Sequence, residues 1–277
     1  KFMFGQPLSV IDIFGIFLAS TFLKYKNVDP QKITLESQAE IIKSAGVPFP
    51  IYTAIITKKD PVFQWFEFNP YEVGSDYLKG YIPSWALGRK FKEGESVNEA
   101  PSQSLGYILG ICGSAMSASA KEAFDVVSAE IGFKPLKKVL DSVIKGLKIE
   151  AKRFFPAKVN NFTMGMLDSP RRTQKILALV DAGIDTNVPL LPLFRKGRNV
   201  DVIIIFDASD TLKTGQAVEL EKAIKMVKDK GGKLPEINLE GITEKPCSVF
   251  FDEKDPDVPT VIYFPMVKNK SYSDAFD

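Results

Sequence analysis

The segment at residues 178–189, ALVDAGIDTNVP, places an acidic side chain where an apolar run stops. Residues 176–180 form that run, and Asp181 follows them directly, before an Ala-Gly pair that predicts a turn. A carboxylate at the rim of a sheet can accept a proton from a hydroxyl nucleophile, which is general-base chemistry. The alternative is a structural turn, because aspartate before glycine commonly hydrogen-bonds its own loop. Asp181 is therefore a candidate catalytic base.

The absence of histidine limits the catalytic mechanisms that the chain could use. The 277 residues contain no histidine and two cysteines, Cys112 and Cys247. Ser-His-Asp and Cys-His triads within the chain are excluded, because each needs an imidazole as base. Zinc is not expected, since its usual ligands are histidine and cysteine, and so few cysteines do not build a disulfide scaffold. We expect no metal site, no cofactor and a reducing compartment.

A second motif, GICGS at residues 110–114, imitates a nucleophile elbow with Cys112 at its centre. A true elbow ends in glycine, follows a strand and has a base nearby, whereas this one ends in serine and has helical flanks. Small residues that let helices approach closely are the simpler interpretation. Cys112 is predicted to be a buried helical residue and not a nucleophile.

A third motif, Asp207-Ala-Ser209-Asp-Thr211, follows an apolar strand and resembles the metal-ion-dependent adhesion site of von Willebrand A-type domains. Oxygen ligands on such a loop could hold Mg²⁺. Too little chain follows the motif for the rest of such a sheet, given roughly 30 residues per βαβ unit. The alternative is that Asp207 and Ser209 cap the following turn.

Helical and strand patterns are interspersed along the chain, which favours the α/β class. Helices are predicted over residues 8–24, 35–44, 105–127, 136–147 and 215–230, and strands over residues 50–57, 63–68, 200–206 and 258–264. Residues 74–94 are interpreted as a Gly/Pro/aromatic loop and residues 156–170 as irregular. The formal net charge is +2, so nucleic acid is not an expected partner. No apolar run reaches the roughly 20 residues of a membrane-spanning helix.

Several segments, in order, resemble the catalytic domain shared by cytosolic phospholipase A2 and fungal phospholipase B (lysophospholipase). FEFNPYEVGS at residues 66–75 is the most specific, and is very similar to the family's Glu-Phe-x-Pro-Tyr-Glu-x-Gly signature. The other matching segments are LSVIDIFGIFLAS at residues 8–20, VPFPIYTAI at 47–55, LGYILGICGSAMS at 105–117, ALVDAGIDTNVP at 178–189 and VPTVIYFP at 258–265.

The resemblance implies a three-layer α/β fold, a patatin/cytosolic-phospholipase-like hydrolase domain with a mixed central sheet. In this family a serine attacks the ester carbonyl and an aspartate serves as its base without histidine. The matching aspartate is Asp181. Arg198 falls where the family carries an arginine near the site, and could pair with a phosphate. The alternative for Arg198 is a surface residue at the entry to a strand.

No Gly-x-Ser-x-Gly occurs in the chain, although the family's nucleophile lies on such a turn. In the family this turn lies upstream of the part that the chain resembles. We therefore expect residues 1–277 to be the C-terminal part of a single phospholipase catalytic domain with its N-terminal portion missing. The serine would belong to that missing segment, and this chain alone is expected to be inactive.

The expected function is hydrolysis of acyl esters of glycerophospholipids or lysophospholipids by a Ser-Asp dyad. The expected partners are that lipid substrate at a membrane surface and the missing segment that carries the serine, with no nucleic acid. The expected location is cytoplasmic with peripheral membrane contact, with secretion as the alternative. Aromatic residues in the predicted loop, among them Tyr77, Tyr81 and Trp85, are candidates for lipid contact near the active-site mouth. Two alternative functions remain: a non-catalytic lipid- or protein-binding fragment of the same fold, and a metal-dependent adhesion module.

Overall fold

The computed structural model describes residues 1–24, 28–57, 63–114 and 156–268, and the chain divides into two units at Asp181. Unit 1 is Lys1–Asp181 and unit 2 is Ala182–Asp277. Each unit has its own cluster of buried apolar side chains. Within the described ranges, no helix combines the length and the apolar character needed to cross a bilayer.

Unit 1 is built on a six-stranded sheet in which every described pairing is antiparallel. Its strands are β1 (Tyr52–Ile56), β2 (Gln64–Phe68), β3 (Glu72–Ser75), β4 (Gly80–Pro83), β7 (Ala157–Asn160) and β8 (Ile176–Asp181), and a separate short hairpin contains β5 (Phe91–Lys92) and β6 (Glu95–Ser96). The spatial order is β4-β3-β2-β1-β8-β7. The strand that ends in Asp181 therefore lies between β1 and β7.

The main apolar cluster of unit 1 collects side chains from one face of this sheet, because successive side chains of a strand point to opposite faces. Ala54 of β1 lies opposite Phe66 of β2, and both are buried in the same cluster. Leu177 and Leu179 of β8 belong to that cluster too. The positions that alternate with them lie outside this cluster, although two of these, Ile55 and Val180, are buried as well.

Three helices are described in unit 1: α1 (Val10–Phe22), α2 (Ser37–Ala45) and α3 (Leu105–Cys112). Helix α3 packs on α1 and also lies against β1 and β8. The approach of α1 and α3 requires glycine, since a Cβ on Gly106 would lie 2.6 Å from the carbonyl oxygen of Gly15. Gly110 meets the same stretch of α1, where a Cβ would lie 3.0 Å from the Cα of Gly15. Gly110 of the GICGS segment thus serves helix packing, as the sequence predicts.

Unit 2 contains a three-stranded sheet with the order β10-β11-β9. Its elements are β9 (Val202–Asp207), helix α4 (Val218–Asp229), β10 (Ser248–Phe250) and β11 (Thr260–Pro265). Strand β11 runs parallel to β9 and antiparallel to β10. One face of the sheet is buried in the same apolar cluster as Leu220, Ala223 and Val227 of α4.

Most of the predicted elements that fall on described residues are confirmed. The predicted helices at residues 8–24, 35–44 and 215–230 correspond to α1, α2 and α4, and the predicted strands at residues 50–57, 63–68, 200–206 and 258–264 correspond to β1, β2, β9 and β11. The helix predicted at residues 105–127 begins at Leu105 as α3 and is described as far as Cys112. Its remainder and the helix predicted at residues 136–147 lie outside the described residues.

The prediction of a loop at residues 74–94 is wrong, because this stretch contains the end of β3, all of β4 and most of the β5–β6 hairpin. Gly74 is the first residue of the predicted loop. In the sheet it faces Tyr81 across the β3–β4 pair, where a Cβ would lie 2.5 Å from the Tyr81 ring. A glycine in a strand thus marks a close approach that only the neighbouring strand reveals.

The prediction that residues 156–170 are irregular is wrong at its start, where Ala157–Asn160 forms β7. Four residues with one clear apolar pair give too weak a period to identify a strand from sequence. Its pairing partner, β8, is what makes the segment a strand.

The α/β class is confirmed. The two larger sheets of the described structure differ in how their strands pair. The parallel pair lies in unit 2, whereas the six-stranded sheet of unit 1 is antiparallel throughout its described pairings. The chain connections explain this. Short turns join β2 to β3 and β3 to β4, and such turns can only connect antiparallel neighbours. The parallel strands β9 and β11 are joined by a long crossover that includes α4.

Candidate active site

Asp181 is the last residue of β8 and lies at the end of a deeply buried apolar strand. Val180 and Leu179 before it are almost completely buried, whereas Asp181 itself is half-buried. Ala54 of β1 lies opposite Asp181 in the sheet. The apolar run therefore anchors the strand, and the carboxylate follows at the point where the strand ends.

The main chain of Asp181 is held by a side chain from the segment that directly follows α3. The Asp181 N–H donates to the hydroxyl oxygen of Ser114 over 2.9 Å, between residues 67 positions apart in sequence. Ser114 lies two residues beyond the end of α3 and is 2% exposed. Sequence reasoning did not identify Ser114, although the segment LGYILGICGSAMS that carries the family resemblance contains it.

Cys112, the last residue of α3, is within electrostatic influence of Asp181. Burial first, and the negative charge of Asp181 second, raise the pKa of the Cys112 thiol far above its ordinary value, and a hydrogen bond from the main chain of Thr53 offsets this only in part. A cysteine nucleophile reacts as its thiolate, which this environment disfavours. Cys112 is helical and packs against the core as predicted, but it is half-buried and not fully buried. Its raised pKa argues against a role as nucleophile.

The turn after Asp181 is a short 3-10 helix, Ala182–Ile184, which belongs to unit 2. It is closed by hydrogen bonds from the N–H groups of Asp185 and Thr186 to the carbonyl of Ala182. Gly183 is not among the glycines with a positive φ, so this turn does not use the left-handed conformation that glycine permits. The turn predicted after Asp181 is therefore present, and it forms without a left-handed glycine.

Arg198 lies in unit 2, in a tight turn after the 3-10 helix Leu191–Phe194. Its guanidinium donates to the carbonyl of Pro192, and its main-chain N–H donates to the carbonyl of Arg195. The neighbouring residues Gly197 and Asn199 both have positive φ. The side chain therefore braces its own turn, and phosphate binding by Arg198 stays a prediction.

Asp207 ends β9 and is 3% exposed, with both carboxylate oxygens engaged inside unit 2. One oxygen accepts the N–H of Ser209 over 2.9 Å, and the other accepts the hydroxyl of Tyr263 over 2.8 Å. Burial and the hydrogen bond to Asp207 raise the pKa of Tyr263, so this hydroxyl stays protonated. Asp207 thus joins β9 to β11, which agrees with a structural role.

The adhesion-type metal motif finds little support in this loop. The side-chain oxygens of Ser209 and Thr211 are buried with no hydrogen-bond partner among the described residues. The same part of the chain contains no group of three His, Cys, Asp or Glu side chains that could hold a metal ion. Asp207 caps the turn by accepting the N–H of Ser209, as the alternative interpretation predicts, whereas the Ser209 side chain makes no cap hydrogen bond.

The FEFNPYEVGS segment is a structural corner between β2 and β3. The side-chain oxygen of Asn69 accepts the N–H groups of Tyr71 and Glu72, which closes the turn around Pro70. Ser75 donates its hydroxyl to the carbonyl of Trp65. The residues that resemble the family most specifically therefore shape the sheet.

The aromatic residues considered for lipid contact separate in the structure. Tyr77 is packed against the core, and its hydroxyl accepts a hydrogen bond from Arg171. Tyr81 donates its hydroxyl to Asp76. Trp85 is 45% exposed and lies beneath the Arg89 guanidinium, whose central carbon is 4.7 Å from the ring centre. Trp85 alone of these three leaves a large aromatic surface open to solvent.

Comparison with known proteins gives the family. The model of the lysophospholipase catalytic domain matches residues 1–225. The chain is 25% identical to mouse cytosolic phospholipase A2 zeta and 26% identical to human cytosolic phospholipase A2 zeta, and each alignment covers 95% of this chain. It spans only 38% and 37%, respectively, of the length of these relatives.

The fold of the chain also matches solved structures of a cytosolic phospholipase A2. Human GIVD cytosolic phospholipase A2 superimposes with a TM-score of 0.74 over 96% of this chain and 38% of its own, at 21% identity. The same human protein in complex with methyl gamma-linolenyl fluorophosphonate gives a TM-score of 0.65 at 23% identity, over 95% of this chain and 35% of its own. The chain belongs to the lysophospholipase catalytic domain family and has the fold of cytosolic phospholipase A2.

Proposed function

We propose that residues 1–277 form part of a single catalytic domain that hydrolyses acyl esters of glycerophospholipids or lysophospholipids, with Asp181 as the general base. The observation that carries this proposal is the position of Asp181. A half-buried carboxylate ends a rigid strand inside a chain that has no histidine and belongs to a lysophospholipase family. Asp185, the nearest competing acid, lies in a turn of unit 2.

In the proposed reaction the Asp181 carboxylate accepts the proton of a serine hydroxyl while the serine oxygen attacks the ester carbonyl. The tetrahedral intermediate collapses, the bond to the lipid alcohol breaks, and the protonated Asp181 donates its proton to that departing oxygen. Water then attacks the acyl-serine in the same way and releases the fatty acid. The step needs no histidine, because any base within hydrogen-bond reach of the hydroxyl can take its proton.

The nucleophilic serine of this proposal lies on sequence outside residues 1–277. No Gly-x-Ser-x-Gly turn occurs within them, and the relatives are more than twice as long as the chain. This chain alone is then expected to show no esterase activity and no labelling by a serine-directed fluorophosphonate. Labelling of a serine within residues 1–277, together with turnover, would place the nucleophile inside the chain instead.

We assign Arg198 to the phosphate of the lipid headgroup as the second part of the proposal. A guanidinium suits this role because it donates several hydrogen bonds to one anion. Arg198→Gln in the complete protein is expected to raise KM for a phospholipid roughly 10- to 100-fold, the value of a charged hydrogen bond. KM for an acyl ester without phosphate should stay the same. Equal losses for both substrates would indicate that Arg198 only braces its turn against Pro192.

The substrate implies contact with a membrane surface, and the names of the relatives favour a cytoplasmic location. Trp85 is the aromatic residue of unit 1 that we assign to this contact, since its ring is exposed. Phosphatidylcholine vesicles should shift its fluorescence, and Trp85→Phe should remove the shift while the second tryptophan, Trp65, remains. An identical shift in the variant would exclude Trp85 from the contact.

The central test is Asp181→Asn in the complete protein, with Asp185→Asn as the matched control. Asparagine keeps the shape of the side chain but accepts no proton, so kcat should fall by about 10²–10⁴, the contribution of a general base. The melting temperature should stay close to that of the unmodified protein, and Asp185→Asn should retain most of the activity. Full activity in Asp181→Asn would refute the assignment, and inactivity of the unmodified complete protein would favour the non-catalytic fragment.

A further inference from the structure

On the edge of β8 that faces β7, the sheet pairing that the structure describes ends before Asp181. The carbonyl of Ala178 accepts the N–H of Thr57, so main-chain groups of even-numbered residues face β1. Those of Leu179 and Asp181 face the opposite edge, toward β7. The last described pair there is Ala157 opposite Leu179. Two residues later, the Ser114 hydroxyl accepts the Asp181 N–H.

Ser114 is attached to an element that cannot shift easily. Helix α3 begins with a side-chain cap, in which the Ser104 hydroxyl accepts the N–H of Tyr107, and at its end the N–H of Gly113 donates to the carbonyl of Leu109. Its glycines are locked against α1 at backbone contact distance. The hydroxyl that meets Asp181 therefore lies two residues beyond a helix that is packed closely on α1.

The carboxylate of Asp181 faces the same end of α3. Leu177, Leu179 and Asp181 are alternate residues of β8, so their side chains point to the same face of the sheet. The side chains of Leu177 and Leu179 lie in the apolar cluster that includes residues of α3. The influence of the Asp181 charge on Cys112 agrees with this direction. Ser114, just after α3, thus bonds the Asp181 main chain, while strand alternation directs the Asp181 side chain to the sheet face on which α3 packs.

We propose that Ser114 is a positioning residue, whose hydroxyl holds the Asp181 N–H and thereby sets the direction of the catalytic carboxylate. The proposal rests on the assignment of Asp181 as the base. Strand ends fray, and a freed N–H would let the main chain of Asp181 rotate and carry Cβ with it. A base must stay within hydrogen-bond reach of the proton that it takes, and a displacement of about 1 Å can cost a factor of roughly 100 in rate.

The first test measures activity of the complete protein. Ser114→Ala should lower kcat about 10- to 100-fold with KM unchanged, because the substrate still binds while the base is misplaced. Ser114→Thr keeps an Oγ and should restore most of kcat. A fall in melting temperature without any change in kcat would show that Ser114 is merely structural, and would refute the proposal.

The second test needs no activity and uses residues 1–277 with Cys247→Ser, so that Cys112 is the remaining thiol. Iodoacetamide should alkylate Cys112 faster in Asp181→Asn, because removal of the negative charge favours the thiolate. Ser114→Ala should also accelerate the reaction, since the carboxylate is no longer held beside the thiol. In the Asp181→Asn background, Ser114→Ala should add little, as expected for two residues acting through one contact.

The two tests separate this proposal from the one on which it rests. If Asp181→Asn retains full activity but the alkylation rates are non-additive, Asp181 is not the base and Ser114 still holds its side chain in place. If the alkylation effects of Ser114→Ala and Asp181→Asn simply add, Ser114 does not direct the Asp181 side chain, and the positioning role is wrong even when Asp181 is the base.

Discussion

Asp207 shows at the scale of one residue how burial separates a structural acid from a catalytic candidate. Its two oxygens accept hydrogen bonds from Ser209 and Tyr263 inside unit 2. Asp207→Asn exchanges one acceptor for a donor and removes the charge that strengthens both bonds. We expect a loss of about 1–3 kcal/mol in the free energy of unfolding, measured by urea denaturation.

The matched control for this variant is Asp210→Asn three residues later. Asp210 is exposed, and its salt bridge in the described part of the chain is with the exposed Lys213, so its replacement should change the free energy of unfolding by no more than about 0.5 kcal/mol. Tyr263→Phe should reproduce part of the Asp207→Asn loss, because it removes one of the two donors. A stable Asp207→Asn protein with reduced turnover would instead assign Asp207 to the chemistry.

Helix α3 is the element on which the candidate site depends, because it ends at Cys112, two residues before Ser114, and packs on α1 through a contact lined by glycines. In an isolated helix, alanine is more favourable than glycine by about 0.5–1 kcal/mol. At Gly106 the new methyl would lie 2.6 Å from both the Gly15 carbonyl oxygen and the Ala19 Cβ. The Gly15 carbonyl is part of the main chain of α1 and cannot rotate away from the new methyl group, so the two helices would have to move apart.

Gly106→Ala is therefore expected to destabilise the chain by about 1–3 kcal/mol in spite of the better helix propensity. The free energy of unfolding of Gly113→Ala provides the comparison, since a Cβ there would meet nothing closer than 3.3 Å. That second variant should be close to neutral. Equal stability of Gly106→Ala and the unmodified chain would mean that α1 and α3 are not packed at backbone contact.

The largest anomaly at the scale of the whole molecule is an apolar sheet face in unit 2 that remains exposed. The side chains of Val202, Ile204 and Phe206 on β9 point away from the unit 2 core, and Phe206 is 78% exposed and stacked on Phe264. Ile203 and Ile205 on the same strand are buried. Strands that are apolar on both faces are typical of sheets covered on both sides.

Lysine substitutions on the two faces should have opposite consequences in residues 1–277. Ile204→Lys should change the free energy of unfolding by no more than about 0.5 kcal/mol and reduce self-association in light scattering. Ile205→Lys should cost more than about 3 kcal/mol, since it buries an unpaired charge. If Ile204→Lys is as damaging as Ile205→Lys, the outer face is covered within this chain.

The sequence by itself determined the local properties of the protein. The apolar runs and helical periods located β1, β2, β9, α1 and α4, because period and composition are properties of a short window. The order of motifs identified the family and singled out Asp181, which ends a strand as its neighbours predicted. The missing histidine excluded imidazole-based chemistry at once, since composition needs no coordinates.

Only the tertiary structure decided how distant residues meet. Gly74 and Gly80 have the local pattern of loop residues. In the structure they lie in the paired strands β3 and β4, where there is little room for a larger side chain. The Ser114–Asp181 and Asp207–Tyr263 hydrogen bonds join residues 67 and 56 positions apart, respectively. No local pattern encodes such a pair, because each partner has an ordinary local role and its contact arises when the sheet and the helices pack.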